Sequence, residues 1–400
     1  MLERPISKAG WTRVRFDQIA TQINDRVDNP AEAGVERYVG LEHLDPDSLR
    51  IRRWGEPTDV ESTKLRFQPG DIIFGKRRVY QRKVAVADFE GICSAHAMVL
   101  RGKTGAVLPE FLPFFMQSDL FMERALSISV GSLSPTINWT ALAAEEFMLP
   151  AIQEQARLVE ALSAADKLAE AQHDLLIRSE FVFNALLKER IGRGFKPADY
   201  QGWEEDDEPD MRFAKLADVA SVDRGKFSHR PRNLPQFFGG PYPFVQTGDV
   251  AAARGREFSP SQFLSEEGVQ YSKSFPSGTI FLTIAAVIAA TAISTSETYC
   301  TDSVVGVVPN DPSDVDYLEY TLRFTRPYLE FEVATQTAQK NINLEVLRPL
   351  TIPWPGKEGR DAIAKELAAA DSVIRTIEAR QAETKKLMHE MLRANFEVPA

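Results

Sequence analysis

At 400 residues the chain is longer than one hydrophobic core usually organises, and its 44% apolar and 26% charged content excludes a disordered or fibrous class. A net charge of −10 excludes a uniformly basic nucleic-acid coat, yet Glu204, Glu205, Asp206, Asp207, Glu208 and Asp210 crowd one stretch, so a local basic face stays open. The start, MLERPISKAGW, lacks an apolar leader, and the longest apolar run, Thr279 to Ile293, is shorter than the roughly 20 residues of a spanning helix, so a cytoplasmic chain with no membrane partner is expected.

Residues 1–150 read as a first globular domain. RVRF, DIIFG at Asp71 and KVAVADF from Lys83 are short strands, with a turn at Gln68-Pro69-Gly70. A helix is predicted from Glu110 to Ile128, its apolar face made by Phe111, Phe114, Phe115, Leu120 and Phe121. The pattern then changes to a long helix over 151–195, with Leu158, Leu162, Ala165, Ala169, Gln172 and Leu176 along one stripe until Gly192, Gly194 and Pro197. An acidic linker, 196–210, leads to a second globular domain, 211–353, and a second long helix, 354–400. In that helix Ile363, Leu367, Ala370, Ile374, Ile377, Gln381, Thr384, Met388 and Met391 keep the same four-three step. The expected fold is α+β: two mixed domains separated by an antiparallel two-helix coiled coil, a dumbbell with a pseudo-two-fold axis.

The two globular stretches read as copies. FDQIA (Phe16 to Ala20) answers to LADVA (Leu216 to Ala220), PGDIIF (Pro69 to Phe74) to SGTIFL (Ser277 to Leu282), and INWTAL (Ile137 to Leu142) to INLEVL (Ile342 to Leu347), in the same order and about 200 residues apart. Cys93 and Cys300 fall at matching places, which predicts equivalent core positions and no disulfide. His96, three residues after Cys93, would make only half a metal site.

The sharpest chemical feature is FGKRRVYQRK, which concentrates Lys76, Arg77, Arg78, Arg82 and Lys83 around Tyr80 after a strand. Such a loop can track phosphates, and an arginine can reach the O6 and N7 of guanine. GSLSPTINW offers Ser132, Ser134, Thr136 and Asn138, and its counterpart TAQKNIN offers Gln339, Lys340 and Asn341. Opposite the basic segment the second copy has the nearly uncharged TIAAVIAAT. Its phosphate contacts would therefore come from Arg224, Lys226, Arg230, Arg232 and Lys340, with Thr283 a DNA contact from the uncharged segment itself, and the two halves of the target would differ in sequence.

No phosphate loop, His-Glu-x-x-His, Gly-x-Ser-x-Gly or amino-methyltransferase Asn/Asp-Pro-Pro-aromatic motif occurs, and no catalytic or metal-ligating set is expected. A coiled-coil assembly scaffold with protein-binding ends stays open as a rival.

YVGLEHLDPDSLRI (Tyr38 to Ile51), PGDIIFGKRRVYQRKVAVADFEGICS (Pro69 to Ser94), LPEFLPFFMQSDLF (Leu108 to Phe121), GSLSPTINW and LPAIQEQARLVEAL (Leu149 to Leu162) resemble the specificity subunit of type I restriction-modification enzymes. PYPFVQTGDV (Pro241 to Val250), GTIFLTIAA (Gly278 to Ala286) and QKNINLEVL (Gln339 to Leu347) extend the likeness through the second copy. The resemblance implies two target-recognition domains, each reading half of an interrupted asymmetric DNA site, with the coil setting the spacing. It also implies two methyltransferase subunits and helicase-nuclease subunits as partners, which carry S-adenosylmethionine, ATP and magnesium, and no cofactor in this chain. A self-contained restriction or methylation enzyme and the DNA-recognition subunit of another multi-subunit phage-defence methylation system are the alternatives beside it. The second helix start, IPWPGKEGRDAIAKEL, departs from the pattern by lacking the Glu154-Gln155 pair of the first, which leaves open whether both starts dock their partners alike.

Overall fold

A computed structural model describes residues 10–105, 107–192, 212–231, 233–334 and 341–396. The chain divides into two compact units, Met1–Asp174 with Ala379–Ala400, and Leu175–Glu378. The acidic linker 196–210, together with Arg232, Gln339 and Lys340, lies outside the described residues.

In the first unit, strand Thr12–Arg15 pairs antiparallel with Glu146–Leu149, so the domain's first and last strands close on each other. One sheet runs in the order Ala20–Ile23, Ala97–Gly102, Ile72–Gly75, Val84–Val86, all antiparallel. A second sheet runs Arg26–Val27, Lys64–Phe67, Gly91–Ser94, Tyr38–Val39, the last pair parallel. Side chains alternate across a strand, and here both faces are covered. Ile72, Phe74, Met98 and Leu100 join the core under the phenylalanine-rich helices, while Ile73, Val99 and Ala97 cluster with Val39, Leu65, Phe67 and Cys93 of the other sheet. That double burial is why DIIFG reads as an unbroken apolar run.

The helix predicted from Glu110 to Ile128 is two helices, Phe111–Gln117 and Asp119–Ser127. Ser118 breaks it in extended backbone, its Oγ donating to Phe115 O at 2.6 Å and accepting from Phe121 N at 3.3 Å. The hydroxyl ends one helix and caps the next. The apolar positions survive the break, because Phe111, Phe114, Phe115 and Phe121 all enter the core.

The second unit repeats the frame. Phe213–Lys215 pairs with Thr351–Pro353, and a sheet runs Ala220–Arg224, Val304–Pro309, Ile280–Thr283, Thr291–Ile293. A second sheet runs Gln262–Leu264, Phe238–Val245, Thr298–Cys300, Lys273–Phe275, again with one parallel pair. The repeats noted in sequence occupy matching places. FDQIA and LADVA each form one helical turn running into a strand. Gly70 and Gly278 both adopt positive φ, 89° and 79°, and send their N–H groups to Ala87 and Ser294. Cys93 lies between Val39 and Leu65 as Cys300 lies between Val245 and Lys273. Both thiols are buried; burial pushes Cys93 up to about 12 and raises Cys300 as well. The apolar run Thr279 to Ile293 is strand, loop and strand, the loop buried at Ile284 and Ile288 to Ala290 and exposed at Ala286.

The two long helices are Ile152–Arg190 and Lys357–Phe396, 39 and 40 residues. In the first unit Leu158 and Leu162 cluster with Leu392 and Phe396; in the second Phe183 and Leu187 cluster with Leu367 and Ile374, and Arg190 bonds Glu366 at 2.9 Å. Within each unit the helices therefore run antiparallel. The stripe ends where Leu392 and Phe396, beyond Met391, turn into the globular core: the Phe396 ring lies 5.6 Å from Phe111 and 5.5 Å from Phe115.

The missing Glu-Gln pair has a structural substitute. Gln155, 1% exposed, donates from Nε2 to Pro150 O at 2.9 Å and accepts from Leu108 N at 2.9 Å, pinning its helix start to its own domain. Arg360 donates to Pro355 O at 2.7 Å, the same five-residue reach, and its other nitrogens pair with buried Asp314 at 2.9 and 3.0 Å.

Candidate nucleic-acid interface

The loop after strand Ile72–Gly75 is anchored by buried Val79 and makes its turns with Arg78 and Arg82 in left-handed backbone, φ 57° and 53°. Arginine rarely sits there, and the neighbouring chain supports the conformation. Arg78 N donates to Pro135 O at 2.8 Å, Arg77 bridges Thr136, and Thr136 bridges Val130, so residues 76–82 and 130–136 form one ridge.

The ridge separates the predicted residues into two groups. Arg77 Nη2 lies 3.5 Å and Arg78 Nε 3.4 Å from Ser134 Oγ, and Arg77 Nη1 lies 3.3 Å from His96 Nε2. Neither guanidinium has a carboxylate partner among the described residues. Tyr80 is 55% exposed, and Ser132 and Asn138 are exposed beside them. Arg82 is otherwise engaged, pairing with Asp47 at 2.6 Å and Asp119 at 2.8 Å and donating to Gln117 O. Lys83 Nζ is given to Leu41 O at 2.6 Å. These two cations hold the loop onto the domain, so the run is not one continuous basic face.

Lys76 turns toward a cleft of about 850 Å³ lined by Gln22, Asn24, Arg26, Lys64, Asn138 and Trp139, among others, with no acid in the lining. Lys64 is 4% exposed and donates to Ser62 O and Oγ at 2.5 and 2.7 Å. Burial lowers the Lys64 ammonium, and burial together with Arg26 lowers that of Lys76. His96 is held below the usual imidazole value by burial and then by Arg77, Lys76 and Lys64. The charges acting on His96 are cationic, while Asp59 and Glu61 line the adjoining pocket that Lys64 and His96 share. The sequence reading missed Gln22, Asn24, Arg26, Lys64 and Trp139, which come from three separate segments; the one available signal was the alternation of KLRF, which sets Lys64 and Arg66 apart from Leu65 and Phe67.

In the second domain, Thr283 departs from expectation. It is fully buried, and its Oγ1 exchanges hydrogen bonds with Ala290, so it serves the core and not a surface. Arg224 donates to Asp302 O at 2.5 Å; Arg230 donates to Phe227 O at 2.6 Å and lies 3.6 Å from the Asp302 carboxylate. Lys226 is exposed and Asn341 half-buried.

Register aligns the two clefts. Ile137 N bonds Lys76 O as Ile342 N bonds Ile284 O; Val27 faces Lys64 as Phe227 faces Ser272. Hence Arg26, Lys64, Lys76 and Trp139 correspond to Lys226, Ser272, Ile284 and Leu344. The second loop repeats the left-handed turns at Ala286 and Ala289, φ 64° and 52°, without the charge.

Among the described residues no group of three His, Cys, Asp or Glu side chains is placed to hold a metal, and no helix is long and apolar enough to cross a membrane. The profile of the family described as type I restriction modification DNA specificity domain matches residues 58–177 and 208–386. The chain is 29% identical over 237 residues to the type I restriction enzyme EcoDI specificity subunit of Escherichia coli, a match covering 56% of this chain and 50% of that one. It is 25% identical over 191 residues to the MjaIX specificity subunit of Methanocaldococcus jannaschii, covering 46% and 41%. It thus spans about half the length of the curated relatives it matches, or less. In fold it resembles the type I restriction-modification S subunit from M. genitalium, with a TM-score of 0.61, 14% identity and coverage of 100% and 99%. A chain from a structure of type I R-M complex assembly superposes with a TM-score of 0.55, 19% identity and 98% coverage of both. With its profile match running through both globular domains, the chain belongs to the type I restriction modification DNA specificity domain family.

Proposed function

We propose that the chain is the non-catalytic, sequence-specific DNA-recognition subunit of a type I restriction-modification complex, each globular domain reading one half of a bipartite asymmetric site. The observation that carries this reading is the ridge on which, among the described residues, the Arg77 and Arg78 guanidinium groups meet hydroxyl and imidazole partners and no carboxylate, leaving donors for phosphate oxygens or guanine edges. Tyr80, Ser132 and Asn138 add polar contacts on the same ridge. In the second domain Lys226 and Asn341 are the candidates best placed, with Arg224 and Arg230 beside them. Methylation and cleavage then belong to partners: two methyltransferase subunits bringing S-adenosylmethionine, and helicase-nuclease subunits using ATP and magnesium. The chain operates in the cytoplasm, where its DNA target lies.

Replacing Arg77 and Arg78 together by alanine tests the first site. Each lost bidentate base contact costs about 1–3 kcal/mol, so binding to the cognate duplex should weaken at least tenfold, with preference lost in one half-site only. Unchanged affinity at moderate salt removes the ridge from the interface.

A further inference from the structure

Lys76 brings an ammonium into a half-buried position with no hydrogen-bonding or ion-pairing partner among the described residues. Lys64, nearly fully buried, satisfies itself on one serine and no acid. Arg26, on the neighbouring strand, adds a third cation to the same cleft, whose lining holds no aspartate or glutamate. A buried cation without a counter-charge costs free energy, so a cleft that sets buried Lys64 and half-buried Lys76 beside exposed Arg26, with no acid in its lining, suits an anion from outside. The cleft is continuous with the ridge, because Lys76 adjoins Arg77 and Asn138 follows Thr136 by two residues. The Trp139 indole gives it an apolar wall suited to a sugar.

We propose that the Arg26–Lys64–Lys76 cleft of the first domain is a phosphate-binding subsite that takes one backbone phosphodiester of the bound duplex, and that the second domain has no counterpart. The assignment rests on the reading of the chain as a DNA-recognition subunit. It adds a sequence-independent anchor to a domain whose ridge reads bases. In the second domain the matching positions are Lys226, Ser272 and Ile284, which leave one cation where the first has three.

The test uses the full-length chain and fluorescence anisotropy with a duplex carrying the cognate site. Lys76→Met and, separately, Arg26→Gln should each make the slope of log affinity against log salt shallower by about one. Affinity should drop for every sequence alike, with half-site preference intact. In the unmodified chain, one methylphosphonate among the phosphates of the first half-site should reproduce the loss, and Lys76→Met should add nothing to it. A wild-type slope in both variants, in protein that still binds the duplex, overturns the subsite; failure of the unmodified chain to prefer its duplex over random DNA instead overturns the DNA-recognition reading. Adenosine monophosphate and inorganic phosphate are titrated in parallel. Either one displaced by Lys76→Met, with the DNA salt slope unmoved, assigns the cleft to a free anion and refutes the phosphodiester. Arg26→Gln, at the edge of its sheet, carries the test if Lys76→Met fails to fold.

Discussion

Lys76 in the first recognition domain and Ile284 in the second accept the same backbone hydrogen bond, from Ile137 and Ile342, yet one is a half-buried ammonium at a polar cleft and the other a core residue. The frame tolerates either because its stability comes from sheets buried on both faces, not from the loop tip. Fastening to the long helices differs too. In the first unit it is exposed at the edges, with Arg50 on Asp166 at 2.6 Å and Arg52 on Glu170. In the second it is a buried network: Asp371 of the helix takes Arg256 and Arg323, Arg323 also pairs with fully buried Glu319 at 2.9 Å, and Arg256 reaches Tyr320. The first domain spends its charge on a surface that can meet a ligand, and the second spends it on rigidity.

The largest expected effect separates those two fastenings. Asp371→Ala leaves Arg256 and Arg323 to share one buried carboxylate, Glu319, and should destabilise the second unit by about 3–5 kcal/mol, whereas Asp166→Ala should cost less than about 1 kcal/mol; urea unfolding measures both. Acid titration sharpens the contrast. Burial opposes the Asp371 charge, but Arg256 and Arg323 overcome it and hold the carboxyl below its usual range. Its contribution is thus present above the unfolded-state value of about 3.9 and is lost as pH falls through the lower native value. Next come the helix starts. Arg360→Ala should cost roughly 3 kcal/mol, the low end for a broken buried pair, because Lys357 stays 3.3 Å from Asp314. Gln155→Ala orphans a peptide N–H and a carbonyl and should cost about 1–2 kcal/mol.

Smaller effects concern the clefts. Ile284→Lys puts the first domain's charge into the second and should steepen the salt dependence of duplex binding by at most about one unit of slope; no change would mean that the second loop stays away from DNA. The smallest effect is a pH dependence. Arg77, Lys76 and Lys64 face His96 and, after burial itself, hold its proton affinity down, so an anion bound among them should raise it. Linkage then makes duplex affinity rise by a few-fold as pH drops through the usual histidine range, near 6.5. His96→Gln should flatten that rise, as followed by anisotropy across pH.

The duplication, the strand-rich domains and the helical stripes were legible because each leaves a periodic trace: all nine stripe positions from Ile363 to Met391 are buried or half-buried. The break at Ser118 was not, since a capping hydroxyl inside an apolar run does not disturb the run. Arg77, Arg78 and Tyr80 could be chosen from composition alone. That Arg82 and Lys83 serve Asp47, Asp119 and Leu41 could not, because those acceptors lie 35–42 residues away in sequence. Arg26 and Lys64 were hidden for another reason: strand pairing joins their two strands in one sheet, while Lys76 follows a strand of the other, and only the packed domain brings all three to one cleft. Thr283 was misjudged for a similar reason: a hydroxyl in an apolar stretch looks like a ligand until its strand partner is known.

Cys93 and Cys300, one in an inner strand of each domain's second four-stranded sheet, are inert while those sheets stay shut, since the thiolate is the reactive form and both groups are buried and hard to ionise. Alkylation at either sulfur therefore requires its strand to part from its neighbours. Mass spectrometry of the two cysteine peptides against reagent exposure would time the opening of each domain separately, in the same molecule and without any introduced label.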